Sequence, residues 1–477
     1  MGRFWDRMWE PPDDYRLVIE LFLRGLAIVY AIAFASLGVQ ILGLSGSQGI
    51  LPLVEMQANL ETHLGWQRYL AAPMIFWIST ADWVLQAVPW IGFIIALLSV
   101  LGLIGRSGFI LNYVLYLSLY HAGSLFMNFQ WDTLLLEAGF LAIFLVHGGS
   151  RLVVWLMRWL LFRLRFLSGI SKIISADPGW AGLTAVATYF HVQPLPHVGA
   201  WYAHHLPTTV LMVAAALVLI IEIAVPFLFI APRTPRMIGA WLTIGLQLLI
   251  MATSNHNFIN VLTILLCLFL FDDRAIKRVL PKALITALDQ PRFLIGAFEK
   301  RLFAAFAILI LTTSTVQVHA MVTDTKPQGW AHTLEQHITR FALSNRYHVF
   351  PTMKAERLEL VIYWSRDGRT WVPLDFEYKP GDPAQAPKWV QPHHPRLDWM
   401  MWFVPLGHPE FQMVYQRFAE RLVQNAAPVL ALLPEHIQRD FQQNGPPKFI
   451  RAALMRYTFS TPRVRGQTGY WWMIEKP

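Results

Sequence analysis

The chain has 477 residues, 55% of them hydrophobic and only 14% charged, where soluble domains carry about 25% charge. Such a balance excludes a disordered chain, which needs low hydrophobicity, and speaks against a wholly soluble enzyme, whose surface needs more charge. The net charge is +9, yet the basic residues sit beside apolar spans, so the positive-inside rule accounts for them and no nucleic acid is expected as a partner.

A mixed head with Arg3, Arg7, Glu10, Asp13, Asp14 and Arg16 leads into the first apolar run, 22–44. A cleavable signal has a short basic head without so many acids, so this run reads as an uncleaved anchor with its N-terminus in the cytoplasm. Further runs lie near 88–105, 108–126, 132–150, 207–231, 236–254, 257–271 and 302–320, against the ~20 residues that a bilayer crossing takes. Arg106, Arg151, Arg233, Arg236, Arg274, Lys277, Arg278 and Lys282 fall in turns that the positive-inside rule puts in the cytoplasm. Parity then requires one more crossing, which 152–170 supplies. That segment carries Arg158, Arg163 and Arg165, each costing about 2.5–3.5 kcal/mol on insertion scales. The alternative is an amphipathic helix lying in the inner interface. The expected fold is a polytopic α-helical membrane bundle of about nine spans over residues 1–324, with outer loops 45–87 and 171–206.

From about residue 325 charged residues become frequent. Residues 359–364 read as a strand, Asp367-Gly368 as a turn and residues 371–378 as the returning strand. Helical spacing follows over 409–443, and residues 456–459 and 470–474 read as closing strands. The tail, 325–477, is expected to be a soluble α+β or β-sandwich domain on the extracytoplasmic side.

Polar residues inside apolar spans carry the functional signal. His121, Asn128, Gln130, Asp132 and Glu137 cluster across the outer turn between the third and fourth runs. Glu222 precedes Pro226, and His256 lies at a later outer turn beside Asn255, Asn257 and Asn260. Such groups face a partner or a water-filled cavity. They point to a polar pocket open to the outer face, or to interhelical hydrogen bonds that fix the bundle. In the tail, Arg396 and Asp398 are spaced to pair above an aromatic run containing Trp399 and Trp402. This reads as domain core or as a client-binding surface, since Trp, Tyr and Arg dominate binding hot spots. A lone cysteine, Cys267, builds no disulfide framework. The pairs His204-His205 and His393-His394 lack ligand spacing, so no metal is expected. No phosphate-binding loop, dinucleotide fingerprint or nucleophile elbow is present, and no cofactor is expected.

Several segments together resemble the lipase maturation factor family. They are HAGSLFMNFQWDTLLLEAGFLAIF (121–144), LLFRLRFLSGISK followed by ADPGW (160–180), QPLPHVGAWYAHHLP (193–207), and DGRTW, FEYKPGD and PHHPRLDWMMWF in the tail. The resemblance runs from Gly25 to the end. The membrane core is distantly similar to vitamin K-dependent gamma-carboxylases, whose catalytic lysine would fall near Lys172. The family resemblance implies a membrane protein that assists folding and assembly of exported proteins such as lipases, with membrane lipid and an exported client as partners. In animals it implies the endoplasmic reticulum membrane. Short loops and one cysteine suggest a bacterial inner membrane, with the tail in the periplasm. The competing expectation is a membrane-embedded enzyme acting on a lipid or quinone-like substrate in an outward-facing pocket, with Lys172, His121 and Glu137 as its catalytic set. Transport is disfavoured, because no broken-helix inverted repeat is evident.

Overall fold

The computed structural model describes residues 7–10, 12–146, 149–288 and 296–476. Arg3, and residues 147–148 of the run 132–150, lie outside the described residues. Among the described residues nine helices form the bundle: α1 (Arg16–Gly38), α2 (Asp82–Val100), α3 (Gly105–Ala122), α4 (Gln130–Ile143), α5 (Arg151–Ile174), α6 (Thr208–Ile223), α7 (Arg233–Thr253), α8 (Ile259–Cys267) and α9 (Ala297–Val322). Five stretches are long and apolar enough to cross a membrane by length and composition: α1, α2, α6 with its 3-10 extension to Ile230, α7 and α9. The stretches of α6 and α7 are only 28% buried, so their apolar faces look outward, as lipid contact requires. The shorter α4 and the charge-bearing α5 lie inside, with almost every residue of α4 buried. A helix shielded by neighbours can be short or polar, because side chains rather than lipid surround it.

Contacts sort the helix ends into two groups. At one end the first N–H groups of α1 lack a local cap, and Asp273 accepts from Arg16 N, Leu17 N and Val18 N at 2.9, 3.0 and 3.2 Å. A carboxylate there satisfies orphan donors and meets the positive end of the helix dipole. Arg233 pairs with Asp272, Arg106 with Glu299 at 2.8 Å, and Arg236 Nε donates to Leu270 O at 2.9 Å, all at this end. Within the bundle α1 and α4 approach closely at Gly139, where a Cβ would stand 1.8 Å from the Tyr30 hydroxyl.

The opposite end carries the tail. It comprises α10 (Gly329–Arg340), α11 (Arg396–Met401), α12 (Pro409–Val423), α13 (Glu435–Asn444) and strands β1 (Arg357–Ser365), β2 (Val372–Pro373), β3 (Phe449–Phe459) and β4 (Trp472–Glu475). The strands form one antiparallel sheet in the order β2-β1-β3-β4. The tail is therefore α+β, and among the described residues no second sheet makes a sandwich. The returning strand is shorter than the sequence suggests. Pro373 has no N–H to donate, and the N–H groups of Tyr378 and Lys379 turn to Asp398 instead, at 2.7 and 2.9 Å. One continuous apolar core runs from Phe22 and Phe34 in α1 to Trp364, Trp399, Phe418 and Phe441 in the tail. A second cluster packs Phe190, Trp201 and Leu211 on Tyr457, Phe459 and Trp472.

Candidate functional site

Three buried ion-pair centres position the site, and each ties the bundle to the tail. In the first, Asp132 at the start of α4 accepts from both terminal guanidinium nitrogens of Arg396, at 2.7 and 2.9 Å, and from the Tyr116 hydroxyl at 2.6 Å. Arg396 therefore does not pair with Asp398, contrary to the sequence expectation. Its partner lies across the domain junction, while Asp398 caps the backbone of Tyr378 and Lys379. Burial holds the Asp398 carboxyl up at about 6, although those two N–H groups pull it down.

In the second, Glu137 pairs with Arg163 of α5 and accepts from Asn345 Nδ2 at 3.1 Å and Tyr347 Oη at 2.8 Å. In the third, Glu222 takes Arg165 at 2.6 Å and Lys172 at 2.7 Å. Lys172 directs its ammonium to Glu222, to Ser168 O at 3.0 Å and to Val349 O at 2.8 Å. An ammonium has three protons, so all three are committed. The remaining buried cation of this helix, Arg158, donates to Phe269 O at 2.9 Å and meets Tyr15.

The other expected pocket residues do similar work. His121 Nε2 lies 2.8 Å from Arg340 O, and Gln130 exchanges two hydrogen bonds with the backbone of His348, at 2.7 and 2.9 Å. His256 Nε2 is 2.5 Å from the Tyr189 hydroxyl in the loop 171–206. Burial pushes its imidazole down to about 3, so it is neutral.

Between these anchors lies a cavity of about 800 Å³, bounded jointly by the tail-side helix ends, the loop 171–206 and the tail. Its apolar wall includes Phe129, Trp131, Phe350, Trp399, Trp402 and Phe403. Asn128, Gln130, His256, His348, Lys354 and Glu410 add polar edges. The volume and the mixed lining are those of a ligand-sized site. The structure thus brings members of both sequence-derived groups, Asn128, Gln130 and His256 with Trp399 and Trp402, into one cavity. It leaves Asp132, Glu137, Glu222 and Lys172 behind the wall. Arg396, Asp398 and Trp399 are 2%, 2% and 3% exposed, so they form no open client surface; they are core at a junction.

Sequence reasoning missed Arg357, Glu359 and Tyr189. Arg357 donates to the carbonyls of His191, Gln193 and Pro194, clamping the loop 171–206 to the sheet, and pairs with Glu359. Burial alone would raise the Glu359 carboxyl, but Arg357 and Lys379 outweigh it and hold it below its usual range. A signal existed for α5: Arg158, Arg165 and Lys172 recur every seventh residue, which sets them on one helix face.

Two family descriptions match the chain. Lipase maturation factor transmembrane domain matches residues 17–278, and Lipase maturation factor C-terminal domain matches residues 343–476. The chain is 32% identical to Lipase maturation factor 2 of Mus musculus, covering 96% of this chain and 81% of that one. It is 31% identical to Lipase maturation factor 2 of Homo sapiens, at the same coverage, and 28% identical to human Lipase maturation factor 1, covering 96% and 86%. No solved structure matches. A helical half and a tail that both match the same family, on apolar helices of membrane-protein character, establish that the chain belongs to the lipase maturation factor family.

Proposed function

We propose that the protein is a membrane-anchored maturation factor that assists folding or assembly of exported proteins, lipases among them. In this reading all nine bundle helices cross the bilayer. The end bearing Arg106, Arg233, Arg236 and Asp273 faces the cytoplasm, in keeping with its basic residues. The tail and the cavity face the exported side, which is the periplasm for a bacterial inner membrane and the lumen for an endoplasmic reticulum membrane. The observation that carries the reading is the aromatic-walled cavity of about 800 Å³ at the junction, placed where an exported chain with unburied apolar segments would meet it. The competing enzyme fares less well. All three Lys172 protons are directed to protein acceptors, and Glu137 and His121 face the tail backbone or buried side chains rather than open space.

Asn128 is exposed on the cavity wall, so Asn128→Trp narrows the cavity and replaces no ion-pair residue. Full-length protein purified in detergent should retain exported proteins, and Asn128→Trp should retain several-fold less, with secreted lipase activity falling in parallel. Equal retention and normal secretion would sink the proposal. Loss of a bound lipid in place of a protein would favour the enzyme. A reporter fused to the C-terminus should be active on the exported side.

A further inference from the structure

The sheet of the tail leaves half a strand edge open. β3 spans Phe449–Phe459, yet β4 pairs only with residues 456–459 of it. Backbone groups alternate in direction along a strand, and two hydrogen bonds fix the phase. Ser460 N donates to Trp471 O at 3.0 Å, on the β4 side, and Leu374 N donates to Ile362 O at 2.8 Å, on the β2 side. Tyr363 must then face Arg451 of β3. Odd-numbered positions of β3 turn toward β1, and even-numbered positions turn toward the edge. The N–H and C=O groups of Ile450, Ala452 and Leu454 consequently point out of the sheet, with no strand beside them among the described residues.

The same three residues continue the apolar face. They stand opposite Trp364, Ile362 and Leu360 on β1, whose side chains are in the core. Ala452 is exposed and Leu454 is 40% exposed. The apolar surface of the sheet therefore extends one strand beyond its cover.

We propose that this edge accepts an extended segment of a partly folded exported polypeptide as a fifth strand, an assignment that rests on the maturation reading above. A row of free N–H and C=O groups recognises backbone, and the flanking stripe takes alternate apolar side chains. Charge decides the occupant. Lys448 and Arg451 are exposed beside the open stretch, and Arg451 lies over Trp371 on the other face, 4.1 Å from the ring centre. A second copy of the chain would bring like charges together. Residues 448–456 carry Lys448, Arg451 and Arg456 and no acidic residue, the place beside Arg456 is already held by Glu475 of β4, and antiparallel pairing centred on Arg451 sets that residue against itself. Like charges directly opposite destabilise a sheet. A foreign strand with apolar residues on one face and acidic residues on the other meets no such repulsion.

The test uses the full chain in detergent and a fluorescein-labelled peptide of alternating valine and glutamate, followed by anisotropy. Ala452→Pro removes an outward N–H that the fold does not use, at the kind of edge position where proline is tolerated. Saturable binding is expected, weakened about tenfold or more by Ala452→Pro, with the unfolding midpoint unchanged. Peptide N-methylated at alternate residues should bind as weakly, and this arm holds even if the variant misfolds. No saturable binding, or equal binding of the N-methylated peptide, overturns the proposal. So does a dimer of the chain that Ala452→Pro dissociates. Exported proteins still co-purifying with a chain that ignores the peptide would overturn the edge alone. Peptide binding without any co-purifying exported protein, and with normal lipase secretion, would overturn the maturation reading and the assigned occupant.

Discussion

At the scale of single residues, buried charges dominate the energetics. Arg396 and Asp132 are 2% and 0% exposed and bonded through both terminal guanidinium nitrogens. Removing one partner leaves the other charged and unsolvated, which costs about 3–5 kcal/mol. Arg396→Ala and Asp132→Asn should each lower the midpoint of thermal unfolding in detergent sharply. Arg396→Met combined with Asp132→Leu should be less damaging than either single change; a double variant as unstable as the sum of the singles would refute this account. Asp398 gives a pH signature. Its folded carboxyl titrates near 6 because of burial, above the ordinary value of about 3.9. The folded state thus holds the proton more tightly than the unfolded state, and this group's contribution is most favourable at low pH and is lost as pH rises through about 6. A side-chain amide in place of this carboxyl would keep an acceptor for the two N–H groups and carry no charge. Asp398→Asn should therefore be more stable than the parent at pH 7 by up to about 3 kcal/mol, with the gain fading toward pH 4. A constant difference across that range would show that the charge plays no part.

At the scale of elements, α5 behaves unlike the other helices. It carries four buried cations, and each finds an acceptor on a different part of the chain: Phe269 O, Glu137, Glu222 and Val349 O. Glu222 compensates two of them at once, so Glu222→Gln strands both Arg165 and Lys172. It should reduce the yield of folded protein more than Glu222→Asp, and adding Lys172→Met to Glu222→Gln should recover part of the loss; no recovery would mean that Lys172 is not the stranded charge. The sequence showed that polar residues cluster near the outer turns and that 152–170 is a costly span, because composition reports cost directly. It did not show the partners. Asp132 meets Arg396 at a separation of 264 residues and Lys172 meets Val349 at 177, and no local periodicity encodes a contact made only after folding. The strands divide the same way. β1 and the Asp367-Gly368 turn were legible from alternation and from turn chemistry, which the structure bears out in the bonds from Arg369 N and Thr370 N to Asp367, both 2.8 Å. The first half of β3 was not, because an open edge exposes both faces and erases the alternation.

At the scale of the whole molecule, bundle and tail fold as one body. Their apolar core is continuous, and the adjoining end of the bundle relies on the tail for Arg396, Asn345, Tyr347, the backbone of His348 and the carbonyl of Val349. Deleting the tail would leave Asp132 with no cation and Glu137 with two fewer donors, inside a medium that penalises both. Residues 1–324 expressed alone should therefore be scarce and protease-sensitive. Loss of a client on tail deletion would then report a collapsed bundle as readily as a lost contact. A cleavable link avoids that ambiguity. Residues 323–326, between α9 and α10, are exposed, so a protease site inserted after Thr325 can be cut in the folded protein. The two fragments should stay together through gel filtration in detergent, held by the junction's ion pairs and shared core, and should separate when Asp132→Asn is combined with Glu137→Gln. Separation of the unmutated fragments on cleavage alone would show that the linker, rather than the buried charges, holds the tail over the cavity.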